Sequence, residues 1–315
     1  MIVEPKSRFF QQYDLHLWAS RNQGEPLKFK EDDDTLDVLS LLQSAIGKDV
    51  GKINVGVKDE CKITRVNLSA DKKYAAILFQ RSSPDASTPF FSSRKTGKLK
   101  KADRDVDEDI AVSAHLFVDM EHIALRKGRY RAIVEEVPSL GKSYIQTIFH
   151  KILKSQEYSF NDRNGNEKTT FTACKLDGYK SQSLSDALKK GTVPYVELVR
   201  TPTVEGLDSE SFQPKEQKQK IMLRVGGASV IEKLKTVKAW AVGQGWSEVR
   251  VQVRLPDGRA RVVPVGRDDD AAAVLFVRAE QVYVEKELDV CCENVSPQLL
   301  EKAVAMFAKK WTADP

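Results

Sequence analysis

From Glu248 to Leu255 the chain alternates without a break. Val249, Val251, Val253 and Leu255 fall on one side, and Arg250, Gln252 and Arg254 on the other. A period of two marks an extended strand with one buried face and one wet face, because successive side chains of a strand point to opposite faces. Pro256-Asp257-Gly258 supplies turn chemistry, and Arg259–Val265 resumes the strand, so the spacing predicts a β-hairpin over 249–265. With Asp257-Gly258 as a two-residue loop, Arg254 faces Arg261, and Arg250 and Arg259 share that face with valines behind them. A bulge at the Pro-Asp-Gly turn would slip this register by one residue. Four guanidiniums on one side of a two-stranded ribbon repel one another unless an anion or an acidic partner neutralises them, and the guanidinium fork grips phosphate bidentately.

The hairpin closes the most basic part of the chain. Between Ser211 and Arg261 eleven Lys/Arg stand against four Asp/Glu, a surplus of +7 in a protein whose formal net charge is only +5. The helix expected just before the hairpin shows Lys233, Lys235 and Lys238. A second tight cluster is Arg126, Lys127, Arg129 and Arg131. A third, Arg94 to Arg104, runs straight into Asp103, Asp105, Asp107, Glu108 and Asp109, and reads as a self-compensating loop. Clustered positive charge is the footprint of a polyanion partner, because each neutralised phosphate releases condensed counterions. The candidate DNA-binding residues are therefore Arg250, Arg254, Arg259 and Arg261, with Lys233, Lys235 and Lys238 adding charge and Arg126, Arg129 and Arg131 as second choices.

The remaining pattern is rich in strands. Strands are expected at Phe9–Trp18, Lys52–Val57, Lys62–Leu68, Tyr74–Gln80, Ile110–Val118, Glu121–Arg126, Tyr130–Val137, Tyr195–Arg200 and Lys220–Val225. Asn164-Gly165 marks a hairpin between Glu157–Asn161 and Thr169–Lys175. Helices are expected over Leu36–Ile46, capped from Asp32–Thr35, then from Gly141 to about Lys154, from Ser229 to Val242, and from Pro297 behind a Ser296 cap. In the last of these Leu300, Val304, Phe307 and Trp311 form the apolar stripe. A short helix opens at Ser183, and Ser82–Asp109 reads as a long polar insertion. Strands and helices do not alternate regularly, so the expected class is α+β, with mixed, mostly antiparallel sheets and a few packed helices. Thr201–Gln217 reads as a linker, which divides the chain into an N-terminal domain over 1–205 and a basic C-terminal domain over 206–315.

Other chemistries find less support. Pro138-Ser139-Leu140-Gly141-Lys142-Ser143 ends in Gly-Lys-Ser between a strand and a helix, but Glu136 stands where a phosphate-binding loop needs its first glycine. Asp49, Glu60 and Lys62 have the permissive spacing of a nuclease metal site, in which two carboxylates hold Mg²⁺ and orient a water. His16, His115, His122 and His150 fit no metal spacing, and no cofactor is implied. Cys61, Cys174, Cys291 and Cys292 make no disulfide framework, which points to a reducing, cytoplasmic setting. No apolar run approaches the ~18 residues needed to span a bilayer. Met1–Lys6 has no basic region leading into an apolar stretch, so no secretory signal and no direct membrane insertion are expected.

The order of elements resembles a known family. Asp107-Glu108-Asp109, the strand with Ser113-Ala114-His115-Leu116-Phe117-Val118, then Ile123-Ala124 and Arg126, is similar to the RexA phage-exclusion family of lambdoid prophages. Thr172–Gly178, Asp186-Ala187, the strand Val193–Val199, the strand bearing Arg224 and the closing helix follow the same order, over residues 60–311. The resemblance implies a non-enzymatic cytosolic protein that forms a homodimer and binds DNA with little sequence preference. It also implies a sensor or regulator role in antiphage defence by abortive infection, paired with a membrane effector protein encoded nearby. The Ser82–Asp109 insertion and the Arg-rich 250–261 hairpin depart from the family. A metal-dependent nuclease and an adaptor for an acidic protein partner stand as the alternatives.

Overall fold

A computed structural model of the chain describes residues 4–20, 24–31, 36–123, 126–162, 164–183, 192–200, 217–225, 230–254, 260–266, 275–277, 279–309 and 311. The chain divides into two compact units. Unit 1 comprises Met1–Tyr179 with Ala279–Trp311, and unit 2 comprises Lys180–Arg278 with Thr312–Pro315. The expected boundary at 205/206 thus moves to 179/180, and the C-terminal stretch goes back to unit 1. The reason is strand pairing across the whole length of the chain, described below.

Unit 1 is built on one antiparallel sheet. In chain order its elements are β1 (Ser7–Ala19), α1 (Val38–Ala45), β2 (Lys52–Val55), β3 (Asp59–Leu68), β4 (Tyr74–Ser83), β5 (Phe90–Ser92), β6 (Leu99–Lys101), β7 (Ile110–His122), β8 (Arg129–Glu135), α2 (Lys142–Lys154), β9 (Glu157–Asn161) and β10 (Glu167–Gly178). The sheet order is β2-β3-β4-β7-β8-β1-β10-β9. Unit 2 follows with β11 (Lys180–Ser183), β12 (Thr192–Arg200), β13 (Gln217–Val225), α3 (Val230–Gly243), β14 (Glu248–Arg254), β15 (Ala260–Gly266) and β16 (Leu275–Val277). The chain then re-enters unit 1 as β17 (Ala279–Tyr283) and α4 (Pro297–Phe307). The architecture is α+β with antiparallel ladders, as the pattern predicts.

β1 is the hub of unit 1. One edge pairs with β8 over Phe10–His16. The other edge is shared end to end, by β17 over Ser7–Gln11 and by β10 over Tyr13–Ala19. Helices cover both faces of the sheet. α1 and α2 lie on one face, where the Phe29 ring packs against Tyr130 and Phe149 at centroid distances of 5.6 and 6.4 Å. On the other face α4 buries Leu299, Ala303, Met306 and Phe307 against Phe10, Ala76, Leu78, Phe117 and Ile133. Double coverage explains why Ala75–Phe79 in β4 reads as an unbroken apolar run: all five side chains are fully buried. It also rotates the closing helix from expectation, since Leu299, Ala303 and Met306 point deepest while Leu300 and Trp311 are only partly buried.

Local signals mostly land where the residues place them. Asp37, not the Asp32–Thr35 run, caps α1, its carboxylate accepting the Ser40 N–H at 2.7 Å. Asp32–Thr35, the helix expected at Ser183–Gly191 and the linker 201–216 lie outside the described residues. Gly165 takes φ of +79° in the β9–β10 turn, the left-handed conformation that Asn-Gly turns require. The expected break at Glu121 is absent; β7 runs to His122 with a register shift between Val118 and His122. In unit 2, α3 buries Val230, Leu234 and Ala241 on the valine face of a four-stranded sheet ordered β13-β12-β14-β15. Among the described residues no helix is long and apolar enough to cross a membrane.

Unit 1 contains a buried polar cluster that no spacing rule predicts. The Glu135 carboxylate accepts from Arg8 Nε at 2.8 Å and from His115 Nδ1 at 2.6 Å, and all three side chains are at most 3% exposed. The Ser296 backbone N–H donates to His115 Nε2 at 3.2 Å, which fixes the tautomer with the proton on Nδ1. Arg8 also donates to the carbonyls of Leu288 and Asp289, at 3.4 and 2.9 Å. Removing one partner from such a cluster leaves an uncompensated charge in a dry site. Glu135→Ala is therefore expected to destabilise unit 1 by about 3–5 kcal/mol, read by chemical denaturation of the full chain. A loss below about 1 kcal/mol would show that the cluster is not holding the unit together.

Candidate nucleic-acid interface

The four-stranded sheet of unit 2 has one face under α3. The register sets out its other face in rows. Met222, Tyr195, Gln252 and Val262 stand side by side, as do Lys220, Glu197, Arg250 and Pro264. Lys218, Val199 and Glu248 form the next row, and Thr192, Arg254 and Ala260 the end row. This face is open: Met222 is 68% and Val262 56% exposed, and Lys218, Lys220 and Arg254 are exposed as well. Four cations and two carboxylates occupy it.

The arginine arrangement differs from the expected one. Arg254 pairs with Ala260 and Val253 with Arg261, so five residues join the strands rather than two. This is the one-residue slip that a Pro-Asp-Gly turn permits. The register therefore sets Arg254 opposite Ala260, not opposite Arg261. Arg259 lies outside the described residues. Arg250 and Arg254 do share the open face, with different surroundings. Arg250 Nε lies 2.5 Å from Glu248 Oε1, and its Nη1 lies 3.8 Å from Glu197 Oε2. Arg254 makes no ion pair among the described residues. Both carboxylates of the face therefore turn to Arg250, and the exposed cations stand at the margins, Lys218 and Lys220 on β13 and Arg254 at the end of β14.

Sequence reasoning missed the β13 lysines and Tyr195. Lys220 Nζ sits 3.6 Å from the Tyr195 ring centroid, a close cation–π contact that holds an ammonium over an aromatic platform. The signal was available in Lys218-Gln219-Lys220-Ile221-Met222, whose alternation places both lysines on one face. Nearby, Arg200 lies over Trp246 at 4.5 Å. Lys233 and Lys235 are exposed on α3 and Lys238 is half-buried there. Because α3 packs on the valine face, these lysines belong to the layer opposite Arg250 and Arg254.

The second-choice cluster belongs to unit 1. Arg126 is exposed. Arg129 Nη1 reaches Asp14 Oδ2 at 3.8 Å, and Arg131 donates to the Phe307 carbonyl at 3.3 Å while its guanidinium lies 5.7 Å from the Trp311 ring. Two of the three are thus engaged within their own unit. Lys127 pairs with Glu25 at 3.1 Å.

The nuclease residues come together in a different role. Lys52 Nζ lies 3.2 Å from both Asp49 Oδ1 and Glu60 Oε2, and Lys62 Nζ lies 3.3 Å from Glu60 Oε1. An ammonium stands where a cation bridging the two carboxylates would have to sit. Burial opposes ionisation of Glu60, but hydrogen bonds from Lys52 and Lys62 outweigh it and hold the carboxyl below its usual range. Among the described residues no three His, Cys, Asp or Glu side chains group as metal ligands. At the Gly-Lys-Ser sequence, Lys142 donates to the Leu176 carbonyl at 3.1 Å and lies over the Tyr13 ring, so its ammonium is turned into the fold. Burial pushes the Cys61 and Cys174 thiols up to about 12, which makes them poor nucleophiles.

No family model matches the chain, and no curated protein matches it.

One carboxylate in unit 1 stands apart. Asp14 is 8% exposed, and its Oδ1 has no hydrogen-bond partner among the described residues. Burial raises its pKa; the Arg129 and Arg126 guanidiniums offset this only in part. The native state thus holds the Asp14 proton more tightly than the unfolded chain does. Ionisation at neutral pH costs stability, and that stability returns as pH falls through the raised value. Asp14→Asn is expected to raise the unfolding midpoint at pH 7 by a few degrees, with the gain shrinking in acid. A variant less stable at pH 7 would show that the Arg129 contact dominates.

Proposed function

We propose that the protein binds DNA through backbone phosphates, with little sequence preference, and that unit 2 provides a principal contact surface. The observation that carries this reading is the open sheet face. Arg250 lies beside its two carboxylates, Lys220 sits over the Tyr195 ring, and Lys218, Lys220 and Arg254 are all solvent-exposed. Exposed cations flanking an aromatic platform suit a phosphate spine, with the ring available to a sugar or base. Arg250 then acts mainly through its neighbours: it neutralises Glu197 and Glu248, which would otherwise repel the phosphates. Lys233, Lys235 and Lys238 lie on the other layer and add long-range attraction.

The wider role is proposed on the resemblance of the order of elements to that of the RexA phage-exclusion family: a cytoplasmic DNA sensor in antiphage defence, acting with a membrane effector. Exposed Met222 and Val262 also favour a second reading, an adaptor face for an acidic protein. Capture of such a partner that persists after nuclease treatment would favour the adaptor.

Anisotropy of a labelled random duplex tests DNA binding. Affinity is expected to fall steeply between about 50 and about 200 mM salt and to change little when the duplex sequence is permuted. The triple variant Lys218→Ala/Lys220→Ala/Arg254→Ala is expected to flatten the log–log salt slope by up to about 2.7, at roughly 0.9 per phosphate contact. Absence of binding at low salt, or a slope unaffected by the triple variant, would reject this face.

A further inference from the structure

Between β4 and β7 the chain leaves the large sheet at Ser83 and returns at Ile110. The excursion is not the featureless loop its composition suggests. β5 and β6 form a two-stranded ribbon pairing Phe90 with Lys101, Phe91 with Lys100 and Ser92 with Leu99. The tip is closed by Ser93 N–H to the Lys98 carbonyl at 2.9 Å and Gly97 N–H to the Ser93 carbonyl at 2.8 Å. The base is tied by Arg104, which donates to the carbonyls of Pro84, Ala86 and Glu108 at 2.9, 3.2 and 2.6 Å.

Two properties of this arm call for a partner. Phe90, Phe91 and Leu99 are 61%, 64% and 70% exposed, and a lone two-stranded ribbon is marginal in water. From Ala86 to Ala102 the arm carries Arg94, Lys95, Lys98, Lys100 and Lys101 and no carboxylate, and none of the five pairs with a described residue. The acidic run Asp103–Asp109 stays at the base. From Asp103 to Lys98 an extended strand covers roughly 16 Å, beyond the Debye length of about 8–10 Å in physiological salt. The tip's charge is therefore not cancelled by its own root.

The register decides what kind of polyanion fits. An element that lies in a membrane surface segregates apolar side chains to one face and basic ones to the other. Here each face of the ribbon carries one Phe–Lys pair, so neither face is purely apolar. A duplex groove, with a phosphate wall on either side and base edges on its floor, meets both faces of an inserted ribbon at once. The major groove of B-form DNA admits a two-stranded ribbon, whereas that of A-form RNA is too deep and narrow for side chains to read. We infer that the 86–102 arm of unit 1 is a second DNA-contacting element, with Arg94, Lys95 and Lys98 on the phosphates and Phe90 and Phe91 against the groove interior. This rests on DNA being the ligand, but on residues separate from the sheet face of unit 2.

The experiment compares the full-length protein with two arm variants and the sheet-face triple variant, on duplex DNA, duplex RNA and phosphatidylglycerol vesicles. Arg94→Ala/Lys95→Ala/Lys98→Ala is expected to flatten the DNA salt slope by up to about 2.7. Phe90→Ser/Phe91→Ser is expected to weaken binding several-fold with the slope unchanged. Both should melt like the wild type, because the altered side chains are exposed. Duplex RNA should bind more weakly than DNA and be less affected by the phenylalanine changes. Arm variants that bind DNA as the wild type does would overturn the arm while leaving the sheet face standing. Loss confined to the arm variants would support the arm and reject the sheet face. Vesicle binding that needs the arm, without DNA binding, would overturn both.

Discussion

One carboxylate organises unit 1. Glu135, at the end of β8, accepts from Arg8 on β1 and from the ring and backbone N–H of His115 on β7. Through Arg8 it is linked to the carbonyls of residues 288 and 289, and through His115 to the cap of α4. In water each of these groups would be hydrated singly. Buried, they are stable only as a complete set, since any missing member leaves a charge or a dipole without an answering group. The network thus makes docking of the C-terminal segment a condition for the sheet, and the sheet a condition for docking. Ser113 and Gln80 extend the same logic, accepting from and donating to the backbone of Cys292. Unit 2 is the excursion of a chain whose two ends are required in one place.

The residues that announce themselves in sequence are those governed by short-range periodicity. The valine alternation of β14 and the Asn-Gly turn at 164–165 both follow from neighbours within a few positions, and they appear where the pattern puts them. What depends on distant partners does not show. β17 pairs with β1 across about two hundred and seventy residues, and His115 meets Glu135 at a spacing of twenty, neither of which leaves a periodic trace. The boundary at 205/206 failed for the same reason. A polar stretch is visible as a linker, but the return of the chain to an earlier sheet is not.

The basic site was half legible. Charge density marks out a region of the chain, because clustered lysines and arginines need no register to be counted. Facing did need a register, and that turned on whether two or five residues join β14 and β15. One residue of slip put Ala260, not Arg261, opposite Arg254. The 94–104 cluster was read as self-compensating because its cations and carboxylates are close in sequence. Strands as short as three residues, which escape a periodicity search, carry the cations out and leave the carboxylates at the root.

Net charge is therefore a poor guide to what this protein presents. A formal surplus of +5 over 315 residues is small. The effective charge at a surface depends on which carboxylates lie within a screening length of which cations. On the open face of unit 2, Glu197 and Glu248 lie close to Arg250, and Lys218, Lys220 and Arg254 are exposed on the same face. On the arm of unit 1, the acidic run and the basic tip are spread along an extended ribbon. In both cases the backbone, not the composition, decides the field: antiparallel pairing fixes which charges stand side by side in a row and how far along the strand the others lie.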